Sequence, residues 1–271
     1  MLDCGLPFAK IGDGGTPLVV FDGFRVEHRA ADGLVLQGMI NSYERYTEAG
    51  RTVYLLERPI EMPIDYSFDD IRDHYIDGLT EIAELTGADG LDLLGIGAGG
   101  MFALAAAAES QGLLRRLVVV AAGPRMSDRG REAAARWQSD AEELRWRRVH
   151  REIVAMSYTG LTSLFYGTIA WLFPELQGTT DYPWDFTITV REVAHTDLSD
   201  HLPNVQVPAL FLAGAADRLF SPEAIEHAAT LAPRGEARIL PEAGHAIIKS
   251  RRRTVDDAVL EFFSDGSQTA G

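Results

Sequence analysis

Four short apolar runs recur through the first half of the chain: Pro17–Phe21, Thr52–Leu56, Leu91–Gly95 and Leu117–Ala121. Each is nearly continuous in hydrophobicity, rather than alternating with polar residues. Between them the period changes. Ile71, Tyr75, Leu79 and Ile82 fall on one face of a helix, and Phe102–Ser110 is an alanine-rich helical stretch. Continuously apolar strands separated by helices predict a parallel sheet covered on both faces. A fifth strand, Ala209–Ala213, follows Pro208, and a shorter one ends at Leu240. The predicted class is therefore α/β.

From about Ser127 to Phe186 the rhythm is lost. This stretch holds no strand-like run. Helices rich in Arg, Glu and Trp give way to an aromatic segment with Tyr158, Phe165, Tyr166, Trp171, Phe173, Tyr182 and Trp184, broken by Pro174 and Pro183. An all-helical insertion in an α/β sheet predicts a cap or lid at 127–186, with the core formed by 1–126 and 187–271. Ile96, Tyr158, Tyr166, Trp171 and Trp184 are then candidates to line a substrate pocket. The competing reading is that these aromatics only pack the cap onto the core.

Composition narrows the setting. Of 271 residues 46% are hydrophobic and 24% charged, which suits a packed core rather than disorder. The longest apolar stretch, Met101–Ala108, falls well short of the roughly 20 residues of a membrane span. No basic-then-apolar leader opens the sequence, and Cys4 is the lone cysteine. Both lead to the expectation of a cytoplasmic protein without a disulfide or membrane attachment. The net charge of −15 argues against a nucleic-acid partner, because phosphate binding needs clustered cations. Two small basic clusters, Arg145/Arg147/Arg148/Arg151 and Lys249/Arg251/Arg252/Arg253, read as solvated helix faces. Between Glu57 and Asp92 eleven acidic residues face only Arg58 and Arg72, a net −9. That stretch is expected to be a solvated helix face rather than a docking surface. No motif calls for a cofactor, and no spacing of His, Cys, Asp and Glu resembles a metal site.

The turn Leu93–Gly100 admits two readings. Gly95, Gly97 and Gly100 match the dinucleotide fingerprint G-x-G-x-x-G. That motif needs an acidic residue about 20 positions on, where this chain has Val118–Ala122. The second reading is a resemblance. Leu94–Gly100 resembles the nucleophile elbow of the α/β-hydrolase family. Gly214–Asp217, after the fifth strand, resembles the family's acid turn. Pro241–His245 resembles its histidine loop, and Phe21–Phe24 its oxyanion loop. The order elbow, acid, histidine is that of the family, with separations of 120 and 28 residues. The resemblance covers about residues 5–264 and implies an α/β-hydrolase fold with an inserted helical cap.

The departures from the family pattern bear on chemistry. The nucleophile position falls on Gly97, which has no side chain with which to form an acyl-enzyme. Ile96 precedes it where the family often has histidine, and Asp22 stands in the place of the oxyanion-loop histidine. The resemblance still implies that Asp217 orients His245 and that the backbone N–H groups of Ala98 and Phe24 bind an oxyanion. Asp22 is a further carboxylate beside that site, as an acid/base partner, a contact for a cationic group or a loop cap. Base and oxyanion site without a nucleophile suit proton transfer next to a carbonyl. The first expectation is therefore a non-hydrolytic enzyme (epimerisation, cyclisation, elimination or C–C cleavage) acting on an apolar natural product or peptide. Two alternatives stand beside it: a catalytically silent binding protein, and a slow hydrolase in which His245 activates water over Gly97.

Overall fold

The computed structural model of the chain describes residues 1–23, 26, 33–110, 112–159, 180 and 182–264, apart from the side chains of residues 34 and 35. Phe24, Tyr166 and Trp171 lie outside the described residues. Among the described residues seven strands form one sheet: β1 (Phe8–Ile11), β2 (Thr16–Phe21), β3 (Arg51–Leu56), β4 (Leu91–Ile96), β5 (Leu114–Val120), β6 (Ala209–Gly214) and β7 (Gly235–Leu240). Their spatial order is β1-β3-β2-β4-β5-β6-β7. Only β1 runs antiparallel, against β3. The chain passes from β2 out to β3, then crosses back to place β4 on the other side of β2. That reversal opens a crevice beyond the carboxyl ends of β2 and β4, where ligands of open α/β sheets bind.

Helices cover both faces because successive strand residues point to opposite sides. Leu18, Val20, Val53, Leu55, Leu94, Val118 and Val120 pack beneath α1 (Gly33–Glu48) and α8 (Arg252–Ser264). Their neighbours Val19, Phe21, Leu56, Leu93, Leu117 and Val119 meet the other layer. That layer contains α2 (Phe68–Thr86), α3 (Ala98–Glu109) and α7 (Pro222–Leu231). The continuous apolar runs thus have the cause expected of them: β3, β4 and β6 are buried on both faces along their whole length.

Helix α2 shows how local sequence sets an element's ends. The Ser67 hydroxyl accepts from the Asp70 N–H and the Asp70 carboxylate accepts from the Ser67 N–H, a reciprocal cap. Gly87 stops the helix in a left-handed conformation at φ +63°.

The acidic stretch is less uniform than its composition suggests. Most of it is α2 and its flanks, but Asp92 is fully buried in β4 and Glu57 is buried just after β3. Asp92 pairs with the buried Arg51 and with Arg115. Asp92 is therefore an internal ion pair, not part of a solvated face. Sequence spacing could not reveal this, because Arg51 and Arg115 reach Asp92 from the neighbouring part of the sheet.

The region between β5 and β6 contains α4 (Asp128–Glu142), α5 (Trp146–Ser157) and α6 (Pro183–His195). Helix α6 runs through Phe186, so the expected cap boundary falls inside a helix. Its start is fastened to the core: buried Asp185 accepts from the N–H groups of Glu61 and Met62 at 2.9 and 2.8 Å. Further along, Glu192 accepts from the Phe68 N–H at 2.9 Å, joining α6 to α2. Among the described residues no helix is long and apolar enough to cross a membrane.

Candidate active site

Four loops at the carboxyl ends of the strands carry the site candidates. Asp22 and Gly23 follow β2, Gly97 follows β4, Asp217 follows β6 and His245 follows β7.

The turn between β4 and α3 is set by close packing. Gly97 adopts φ +53° and ψ −124° as the N-cap of α3. Its N–H donates to the Val120 carbonyl at 2.9 Å, and its carbonyl accepts from the Gly100 N–H at 2.9 Å. The other glycine that matters here is Gly99. A Cβ on it would sit 2.3 Å from the Phe21 carbonyl oxygen and 2.4 Å from that of Asp22. The first turn of α3 therefore lies directly against the chain leaving β2. This glycine is required by the protein's own backbone, which removes the need to invoke a pyrophosphate.

Asp217 and His245 are hydrogen-bonded, with Oδ2 to Nδ1 at 3.0 Å. The carboxylate is fully buried and the imidazole is 18% exposed. The other carboxylate oxygen accepts from the N–H groups of Leu219 and Phe220, at 2.8 and 3.1 Å. Both oxygens are thus occupied, which fixes the carboxylate plane. An acceptor at Nδ1 places the ring proton there and leaves Nε2 as the free base. Phe220 lies nearly parallel to the imidazole, centroids 5.9 Å apart and planes 21° apart.

Nε2 points at the Gly97 turn. An ideal Cβ on Gly97 would lie 3.5 Å from it and 3.7 Å from the Gly23 Cα. The pair separated by 148 positions in the chain is thus brought into van der Waals range of one missing side chain. Asp22 is half-buried, and its carboxylate accepts from the Gly23 N–H at 2.8 Å. Beneath it, a cavity of about 10 Å3, the size of one water, is bounded by Asp22, Glu57, Arg58, Ala98 and Thr189.

The remaining candidates are distributed unevenly. Ile96 and Tyr158 are buried, Ile96 at the end of β4 and Tyr158 just past α5. Trp184 is 53% exposed on the first turn of α6. His150 is buried within α5. Three neighbours of the pair were not singled out by sequence reasoning: Phe220, Arg218 and the Ser157 carbonyl, which accepts from the Ala246 N–H at 2.9 Å. Only the place of Arg218 and Phe220 next to Asp217 offered a hint.

The Arg145–Arg151 cluster borders an open groove of about 570 Å3 between α4 and α5. Arg147, Arg148 and Arg151 are exposed, while Arg145 pairs with Asp140 at 2.6 Å. At 1.5 Å per helical residue, Arg147 is about 15 Å along α5 from Ser157. Among the described residues no three His, Cys, Asp or Glu side chains are grouped as metal ligands.

A mostly parallel, doubly covered sheet with an acid after β6 and a histidine after β7 facing a strand–turn–helix at β4 defines a class of α/β proteins. The chain belongs to the alpha/beta hydrolase family, whose model matches residues 37–258. A pimeloyl-[acyl-carrier protein] methyl ester esterase of Stenotrophomonas maltophilia is 37% identical over 82 residues. That match spans 30% of this chain and about a third of the relative, 32% of its length. Solved structures share the fold over nearly the whole chain. MGS-M2, an alpha/beta hydrolase from a Medee basin deep-sea metagenome library, superposes with a TM-score of 0.76 at 18% identity, covering 95% of this chain and 94% of that one. The enol-lactonase of Burkholderia xenovorans LB400 gives 0.75 at 13% identity, covering 96% of each chain. A thermophilic esterase of Thermogutta terrifontis gives 0.71 at 19%, covering 96% of this chain and 93% of that one.

These relatives correct the first functional expectation. Non-hydrolytic proton transfer was placed ahead because Gly97 cannot be acylated. The relatives are esterases and a lactonase, so hydrolysis takes precedence. The physical reason for the misjudgement is that a missing nucleophile removes one route to hydrolysis, not the base and water that make another.

Proposed function

We propose that this chain is a hydrolase of ester or lactone bonds in which His245 activates a water held over Gly97. The observation that carries this is the 3.5 Å between His245 Nε2 and the place where a Gly97 Cβ would stand. Gly97 occupies the position at which the family pattern calls for a nucleophile. With no side chain there, the space suits a water within reach of the base.

In this reading Asp217 holds the imidazole with Nδ1–H toward the carboxylate and stabilises the cation formed on protonation. Nε2 takes a proton from the water as its oxygen bonds to the substrate carbonyl carbon. The carbonyl oxygen becomes an oxyanion at the N-terminus of α3, where the Ala98 N–H and the positive end of the helix dipole favour negative charge. The tetrahedral intermediate then collapses, the C–O bond to the leaving group breaks, and the imidazolium returns its proton to the departing alkoxide. Phe24 is the second oxyanion donor that the family resemblance implies. The helical insertion serves as a lid, supported by the meeting of Ser157 with the histidine loop. The names of the relatives support the ester and lactone class.

The test is hydrolysis of p-nitrophenyl acetate and butyrate. Measurable turnover is expected, falling at least about 100-fold in His245→Ala with the fold retained by circular dichroism. Equal rates in the two proteins would overturn the proposal.

A further inference from the structure

We propose that Arg218 is a positioning residue that clamps the last turn of α5 to the Asp217–His245 pair, so that cap and base move as one body. The proposal rests on the hydrolytic reading above for its kinetic consequence, but its geometry is independent of it.

Arg218 follows Asp217 directly, and the two side chains leave the turn for different partners. Asp217 meets His245, whereas the Arg218 Nη2 donates to the carbonyls of Ala155 at 2.5 Å and Tyr158 at 2.7 Å. Those carbonyls belong to the end of α5, the negative pole of its dipole, where a guanidinium is the matching charge. The same turn holds α4 as well. The Ser127 hydroxyl donates to the Arg218 carbonyl at 2.7 Å and the Ser127 N–H to the Leu219 carbonyl at 2.8 Å. The histidine loop grips α5 from the other side, through the Ala246 N–H on the Ser157 carbonyl at 2.9 Å. Residues 155–158 are thus held between the loop that carries the acid and the loop that carries the base.

A purely stabilising arginine would satisfy all its donors. Here Nε is buried without an acceptor among the described residues, a cost that weighs against stability as the reason for this residue. The arrangement makes sense if the guanidinium sets where residues 155–158 sit against the acid and histidine loops. Displacing α5 would then pull on both catalytic loops together.

The experiment compares Arg218→Met and Arg218→Lys with the native chain by aryl-ester kinetics and by NMR titration of the His245 ring. Arg218→Met is expected to lower kcat tenfold or more, with a smaller change in KM, and to displace the His245 titration midpoint. Arg218→Lys, which keeps a cation and a donor, should recover part of both effects. A loss of thermal stability in Arg218→Met with unchanged kcat and unchanged titration would overturn the clamp. If no ester is hydrolysed by the native chain, the titration alone decides the clamp, and only the hydrolytic reading fails. Should Arg218→Met not fold, Ser127→Ala is read instead. It removes the hydroxyl bond to the Arg218 carbonyl, and an unchanged kcat and titration there would overturn the proposal.

Discussion

Replacing Gly97 with serine tests the site most severely. The backbone there has φ +53°, so a side chain costs about 1–2 kcal/mol of strain. A domain with the usual 5–15 kcal/mol of stability tolerates that. Space is not the obstacle, since the nearest atoms to a new Cβ are His245 Nε2 at 3.5 Å and the Gly23 Cα at 3.7 Å. From such a Cβ a hydroxyl oxygen reaches hydrogen-bond distance of Nε2, about 2.6–3.2 Å. Asp217, His245 and the α3 N-terminus would then act on a covalent nucleophile. Removing a complete triad costs about 2 × 10^6 in kcat, what remains coming from the oxyanion hole and binding alone. A gain of at least about 100-fold in kcat/KM, near 2.7 kcal/mol of barrier, is therefore expected. The assay is release of p-nitrophenol from an aryl ester, followed on the stopped-flow timescale. The variant should show a burst equal to the enzyme concentration, and the native chain none, because it has no group to acylate. A folded Gly97→Ser protein with neither burst nor gain would refute the reasoning. It would mean that Nε2 is not poised over this turn or that no oxyanion site remains.

Three further outcomes are expected. Asp217→Asn leaves the imidazole able to adopt the wrong tautomer and should lower kcat at least about 100-fold with little change in KM, measured with the same esters. Arg51→Ala strips the buried Asp92 of its buried partner and leaves only the half-exposed Arg115; a loss of about 3–5 kcal/mol is expected by chemical denaturation. Burial pushes the Asp256 carboxyl above its usual range, an effect stronger than the opposing bond from Tyr46 and the nearby Arg252 and Arg45. Because the folded state then holds this proton to higher pH than the unfolded chain, the group's contribution to stability is greatest below the unfolded value of 3.8 and declines as pH rises through the folded one. Asp256→Asn should flatten that decline in denaturation curves taken between about pH 4 and pH 7.

Much of the architecture was legible because its causes are local. Strands buried on both faces must be apolar along their length, so Pro17–Phe21, Thr52–Leu56, Leu91–Gly95 and Leu117–Ala121 announced themselves. The order of turn, acid and histidine is a property of chain order alone. So is the absence of a side chain at Gly97. The cap's boundary was less legible, since α6 carries the same helical pattern on both sides of Phe186.

The sequence by itself therefore settled the α/β class and the loops worth inspecting. It could not rank hydrolysis against proton transfer, because both use the same base and oxyanion site. Contacts between residues far apart in the chain decided the rest. Asp92 looked like one more surface acid until Arg51 of β3, two strands away, and Arg115 of the adjacent β5 met it. Arg218 looked like a turn residue until its guanidinium reached Ala155 and Tyr158, about 60 positions away. The 3.5 Å between His245 and the Gly97 turn likewise depends on how β4 and β7 are spaced in one sheet. Hydrophobic periodicity records which face of an element is covered. It holds no information on which polar atoms of distant elements come to share a hydrogen bond.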